Sequence, residues 1–285
     1  MINSHLKNIF EVNLSILFIC SSGVLGRSIN LPPENIIWWR CFLGAIFLGI
    51  YCWYKKDSLK ITSKKDAISL FTSGLFLGAH WVTYFYALQL SNVALGMLSL
   101  FTYPVITAVL EPLFFNIRFN KNHIILSGLV MVGIYFLTPE MDFENENTKG
   151  IIVGVISAIL FALRNILTKR NLHHFKAPKV MFYQMLVAVL FIAPLLHGEG
   201  LPKVNDMGKL LFLGLFTTAI GHSLFVNSFK NFSISTVSII SSMSPIYGII
   251  LGMIFLQEIP GGNTVIGGVL ILVTVIIESI QSRNK

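Results

Sequence analysis

Three arginines, Arg27, Arg40 and Arg164, stand inside long apolar stretches of this chain. A charge held in hydrocarbon costs at least about 2.5–3.5 kcal/mol on insertion scales, so such residues face a polar cavity or a partner. A guanidinium presents five donors in a fixed fork suited to carboxylate or phosphate, which makes it an anion-holding group. Arg27 and Arg40 flank the hairpin Asn30-Leu-Pro-Pro-Glu34, which puts both at similar depth near one membrane face. One reading is a vestibule that attracts a substrate carboxylate; for Arg27 the other is snorkelling toward headgroups with pairing to Glu34. Arg40 reads as a cavity or structural residue. Arg164 lies deeper, either on a pathway or capping a carbonyl freed by a kink.

Two histidines, His80 and His222, also lie in apolar surroundings. Imidazole changes charge near neutral pH, which suits proton coupling or a hydrogen bond to substrate; a satisfied packing histidine is the competing reading. They lack metal-ligand spacing, so no metal is expected, and no cofactor. Ser99, Tyr103, Thr107 and Glu111 recur at four-residue steps, a spacing that keeps them on one helical face. Ser233, Ser235, Thr236, Ser238, Ser241, Ser242 and Ser244 crowd before Pro245. Small residues let helices approach closely and leave room for a solute. Trp81, Tyr84 and Tyr86 could supply aromatic walls. Glu258 sits at a helix end, as a gate partner for Arg27 or Arg40 or as a solvated loop residue.

The elements that position these groups are membrane helices. Hydrophobic residues make up 54% of 285 and charged residues 12%, against roughly 25% charged in soluble domains. A spanning helix needs about 20 mostly apolar residues, and ten such stretches are expected: 9–29, 34–54, 67–88, 92–115, 122–138, 150–168, 179–197, 208–229, 233–256 and 263–281. The first lacks a cleavage site of the A-x-A kind and reads as a retained helix. Cys20, Cys41 and Cys52 form no CxxC pair and read as packing residues.

The basic pI of about 9.4 does not imply nucleic acid. With the N-terminus in the cytoplasm, the cytoplasmic segments carry fifteen basic residues, among them Lys55, Lys56, Lys176 and Lys230, and the outer segments only Lys149, Lys203 and Lys209. That asymmetry follows the positive-inside rule and places both termini in the cytoplasm.

Pro104 and Pro245 lie 141 positions apart in matching surroundings, and each removes a helix hydrogen bond to the carbonyl four residues earlier, forcing a kink. Within one position of that offset His80 approaches His222, and Gly74-Leu75-Phe76 answers Gly214-Leu215-Phe216. The chain therefore divides into repeats over 1–139 and 150–285, joined by an acidic outer connector at 140–149. Five helices per repeat is odd, so the second copy is inverted, the plan of secondary transporters with a site at the interface between halves. Pro104 and Pro245 read as the hinges.

The chain resembles the EamA-like ten-helix family of the drug/metabolite transporter superfamily, through Tyr84-Phe-Tyr-Ala-Leu-Gln-Leu-Ser-Asn92, Tyr103-Pro104, Ser244-Pro245, Phe255-Leu-Gln-Glu258 and Trp39-Arg40. The first repeat departs from the pattern, with Ile117 where Glu258 predicts an acid. The resemblance implies an all-α integral membrane protein of ten helices in two inverted repeats. It implies a carrier in the cytoplasmic membrane that exports a small polar metabolite such as an amino acid. Import or exchange of a nucleobase, nucleotide-like or vitamin-like compound is the alternative. Protons are the candidate coupling ion, the lipid bilayer is the solvent, and the chain works as a monomer or homodimer. An intramembrane hydrolase would need a nucleophile with its base, or a metal set such as HExxH; His173-His174 has no carboxylate beside it.

Overall fold

Caps and prolines set where the helices begin. The computed structural model describes residues 2–115, 122–137, 144–196, 202–232, 234, 237, 241 and 244–283. Helix α1 (Ile2–Arg27) turns into α2 (Pro33–Tyr54), which opens on proline with Glu34 in its first turn. Proline there sacrifices no intrahelical bond, and the acid meets the positive end of the helix dipole. Helix α3 (Lys64–Leu90) starts where Ser63 accepts a hydrogen bond from the Asp66 amide. Helix α4 (Val93–Leu100) starts where the Asn92 side chain accepts from the Leu95 amide. Such caps satisfy amides that have no partner inside the helix.

Helix α5 (Tyr103–Phe115) is separated from α4 by a turn at Phe101-Thr102. Pro104 has no N–H for the Leu100 carbonyl, so the expected kink is a full break. The four-residue stripe from Ser99 to Glu111 is consequently interrupted rather than carried on one continuous face. A second proline, Pro112, lies inside α5. Then follow α6 (Asn122–Leu137), α7 (Glu146–Asn171), and α8 (Ala177–Ile192) with a 3-10 turn over Ala193–Leu195. Helix α9 (Val204–Phe212), a π-helical segment (Leu213–His222) and α10 (Ser223–Ser228) run on from one another. Helices α11 (Ser244–Leu256) and α12 (Gly262–Arg283) complete the chain. Left-handed residues Lys56 (φ 53) and Gln257 (φ 56) follow the ends of α2 and α11.

Every described element is helical. Six spans are long and apolar enough to cross a membrane: Lys7–Arg27, Pro33–Tyr54, Val93–Phe115, Glu146–Asn171, Ala177–Leu195 and Val204–Ser228; Tyr247–Leu256 and Gly262–Thr274 are shorter apolar helices. The 27-residue α3 is not among the six because it carries His80, Thr83, Tyr84 and Tyr86 on the way through the molecule. Large apolar side chains such as Leu113, Leu190 and Phe255 face outward, as expected where lipid is the solvent.

The packing joins the front of the chain to its back. Helix α3 lies along α7 and α8, α2 along α8 and the π segment, α1 along the π segment and α10, α4 along α11, and α6 along α12. Two glycines permit close approaches beside the centre of the molecule. A Cβ on Gly154 of α7 would overlap the Ser99 hydroxyl, and one on Gly44 of α2 would lie 2.8 Å from Thr218 Cγ2 in the π segment. Arg40 is one turn from Gly44 along α2, so this second contact also presses the arginine against the π segment.

Candidate functional site

Where the two halves meet lies a central cavity of about 60 Å³. Helix α1 contributes Ile16, Ile19, Cys20 and Ser22, α2 contributes Arg40, and α3 contributes His80, Trp81 and Tyr84. The broken α4–α5 span adds Met97, Leu100, Phe101 and Tyr103. From the other half come Phe161 of α7, His222, Phe225, Ser241 and Ser244. Of the ten residues the sequence assigns to a pathway, Arg40, His80, Trp81, Tyr84, Tyr103, His222 and Ser241 converge on this one space. Ser242 lies outside the described residues. At about 10–15 Å³ per water, the cavity has room for a few waters.

Arg40 is 1% exposed. Its Nε donates to Thr218 Oγ1 at 2.7 Å, and its guanidinium carbon lies 4.1 Å from the centroid of the Trp81 ring. Stacking on an aromatic face offsets part of the cost of burying a cation. Nη2 is buried and has no hydrogen-bond partner. His222 approaches the same indole from another direction, edge-on at 5.0 Å between ring centroids, and its Nδ1 is likewise buried without a partner. One tryptophan therefore carries two polar side chains, each with a polar atom left unsatisfied.

His80 differs. Its Nδ1 lies 2.7 Å from Ser157 Oγ, that hydroxyl donates to the His80 carbonyl at 2.8 Å, and the ring stacks on Phe161 at 4.5 Å. Ser241 donates to the Val237 carbonyl at 2.7 Å, and the Cys20 thiol points to the Ser244 carbonyl at 3.6 Å.

Arg164 is fully buried but stands outside the cavity wall. Its Nη2 donates to Gln184 Oε1 at 2.7 Å and its Nη1 to Asn165 Oδ1 at 3.0 Å. Gln184 in turn donates to Ser73 at 3.0 Å and to Thr168 at 2.8 Å. The described partners of Arg164 are side chains, so it caps no freed carbonyl. The chain of bonds continues through Asn171 to Ser69, which borders a surface pocket with Lys65, Arg170 and His174.

Arg27 and Arg40, expected at similar depth, are not. Arg27 is the last residue of α1 and partly exposed; Arg40 lies seven residues into α2, about 10 Å deeper at 1.5 Å per residue. Glu34 receives the Tyr86 hydroxyl at 2.7 Å rather than Arg27. Arg27 Nε instead donates to Glu258 Oε1 at 2.6 Å, its Nη1 bonds the Leu88 carbonyl, and Glu258 Oε2 accepts from the Val93 amide at 2.8 Å. The Arg27–Glu258 pair thus ties α1, the end of α3, the start of α4 and the α11–α12 turn together at one mouth of the molecule. Lys209 adds a second tie there, donating to the Ser28 carbonyl at 2.6 Å. At the other end a groove of about 950 Å³ opens between α2, α8 and α10, bordered by Lys55, Lys176 and Lys230.

Glu111 is half-buried on α5, outside the cavity wall. Pro104 lies at the α4–α5 break beside cavity residue Tyr103, and Pro245 is the second residue of α11. Sequence reasoning missed Thr218, Phe161 and Phe225. Thr218 and His222 are four residues apart, as are Phe161 and Asn165, a spacing that could have been searched around each polar candidate. The π segment left no such trace. π-helical turns are uncommon and concentrate at functional sites, and this one holds both Thr218 and His222.

The sequence profile of the EamA-like transporter family matches residues 8–138 and again residues 148–280. An uncharacterised transporter, YxxF of Bacillus subtilis, is 23% identical over 97% of this chain and 91% of its own length. The pseudopaline exporter CntI of Pseudomonas aeruginosa is 22% identical over 90% of each. A solved crystal structure superposes with a TM-score of 0.70 at 16% identity, covering 96% of each chain, which establishes likeness of fold. With a family match over nearly its whole length and helices built to cross a bilayer, the chain is a multi-pass membrane protein that belongs to the EamA-like transporter family.

Proposed function

We propose that this protein is a secondary active transporter that exports a small polar metabolite, such as an amino acid, through the Arg40 cavity by alternating access. The observation that carries the reading is the cavity itself: contributed by both halves, and lined by a buried arginine whose Nη2 is unsatisfied. Buried polar groups are ordinarily satisfied, so an orphaned donor on a cavity-lining residue marks a place for a ligand. Ten spans in two inverted repeats, 1–139 and 150–285, fit the pairing of first-half with second-half helices. The Arg27–Glu258 tie serves as the outer gate, closed here, and the lysine-bordered groove marks the cytoplasmic side by the positive-inside rule. Both termini then lie in the cytoplasm, and the membrane is the inner one. The turn at Phe101-Thr102 ahead of Pro104 supplies one hinge and Pro245, its counterpart in the second repeat, the other, since hinge motion concentrates at a few element-terminal positions. Export agrees with the named activity of CntI.

Purified protein in liposomes tests this. Saturable solute flux accelerated by the same solute on the far side supports a carrier; flux that rises without saturation sinks it.

A further inference from the structure

Arg40 Nη2 and His222 Nδ1 are both buried, both without partners, and both set around Trp81. The described residues lining the cavity include no aspartate or glutamate. Arg164 is equally buried without a counter-charge, but neutral side chains meet its donors; Arg40 has neither a counter-charge nor a full set of acceptors, which disfavours the buried cation. An anion that reaches both unmet atoms supplies both.

From this we infer that the cavity holds its solute by a carboxylate, seated between Arg40 and His222 beside Trp81, and that a positive group on the same solute is dispensable. One carboxylate oxygen takes Arg40 Nη2, and the other takes His222 Nδ1 in the tautomer that carries its proton there. Charge-assisted bonds of this kind are about twice as strong as neutral ones. A phosphate fits less well, because it brings three strong acceptor oxygens and a charge near −2 to a site with one cation. An ammonium group finds no carboxylate among the described lining residues, only neutral groups such as the Ser22 and Ser241 hydroxyls and the rings of Tyr84 and Phe161. The remaining wall, with Ile16, Leu100 and Phe225, suits a small apolar body. The occupant class is a small monocarboxylate, amino acids included through their carboxylate end. The inference rests on the cavity being the transport site.

The test uses detergent-purified full-length protein and three probes of one shape: isobutyrate, isobutyramide and isobutylamine. Tryptophan emission is titrated with each, and the same preparation is assayed for solute flux in liposomes. The expected result is a saturable change with isobutyrate at least about tenfold tighter than with the amide or the amine. Arg40→Gln removes that preference, and His222→Gln narrows it. Equal response to the three probes, or none with any of them, overturns the carboxylate site; flux of a neutral or cationic solute in the same liposomes then leaves the transport reading standing. Tight isobutyrate binding without flux of any solute upholds the site and sinks the transport reading. Should Arg40→Gln fail to purify as a monodisperse species, the three-probe comparison on unaltered protein decides alone.

Discussion

Arg40 and Arg164 are both buried to about the same degree and both sit on helices that cross the molecule, yet their surroundings are opposite. Arg164 is held by Gln184 and Asn165, and behind them by Ser73 and Thr168. Arg40 has one hydroxyl, one ring face and an Nη2 without a partner. The histidines repeat the contrast, His80 bonded to Ser157 and His222 with Nδ1 unmet. Burial of a polar group alone therefore does not mark a site. What distinguishes the two members of each pair is whether the protein has already supplied their partners, because an unfilled buried donor is stable only if something else fills it.

That contrast can be broken by mutation. Arg40→Ala should reduce saturable flux by about 100-fold, the upper range for losing a charged hydrogen bond, with membrane insertion and folded yield intact; a variant with full flux removes Arg40 from the mechanism. Arg164→Ala should act on stability instead. It strands the Gln184 and Asn165 oxygens at about 1–3 kcal/mol, lowering the thermal midpoint by about 5 °C, while flux per folded molecule stays within about threefold. Replacing Arg164 and Gln184 together by Met and Leu should recover part of the loss, since well-packed apolar groups can stand in for a buried polar cluster. A stable Arg164→Ala protein with no flux would erase the distinction between the two arginines.

Smaller effects sharpen it. Glu258→Gln weakens a partly exposed ion pair worth up to about 1 kcal/mol, so exposure of the cavity at the outer mouth should rise about fivefold, read by labelling of Cys20. His222→Gln should weaken solute binding by about fivefold, the share of one neutral hydrogen bond, with the thermal midpoint unmoved. His80→Gln should do the reverse, because its imidazole Nδ1 is already engaged with the Ser157 hydroxyl.

The all-helical fold, the membrane class and the family were legible because lipid-facing helices declare themselves by composition and length, and because Tyr103-Pro104 and Phe255-Leu-Gln-Glu258 are local patterns. The pairing of His80 with His222 was legible through the internal offset of about 141 positions, and Arg40 through its place in an apolar stretch and the Trp39-Arg40 pattern. Depth was read less well. Placing the end of α1 two residues too far along made Arg27 look as deep as Arg40, and a helix-end error of two residues decides whether an arginine meets water. Partners were not legible at all: Gln184 lies twenty residues from Arg164 and Thr218 lies 178 from Arg40, and no periodicity encodes such contacts. The π segment escaped because Leu213–His222 carries no local residue pattern that sets it apart from the α-helix on either side.

The central claim is that one cavity, anchored by Arg40, is reached from one side of the membrane at a time. Cys20 lines that cavity, so it reports directly once Cys41 and Cys52 are replaced by serine. Membrane vesicles of both orientations are treated with an impermeant thiol reagent, with and without Arg27→Ala. The account predicts labelling of Cys20 from the lysine-rich side when the Arg27–Glu258 tie is intact and increased labelling from the opposite side when it is cut. Labelling from both sides at equal rates with the tie intact, or from neither side in either protein, would contradict it.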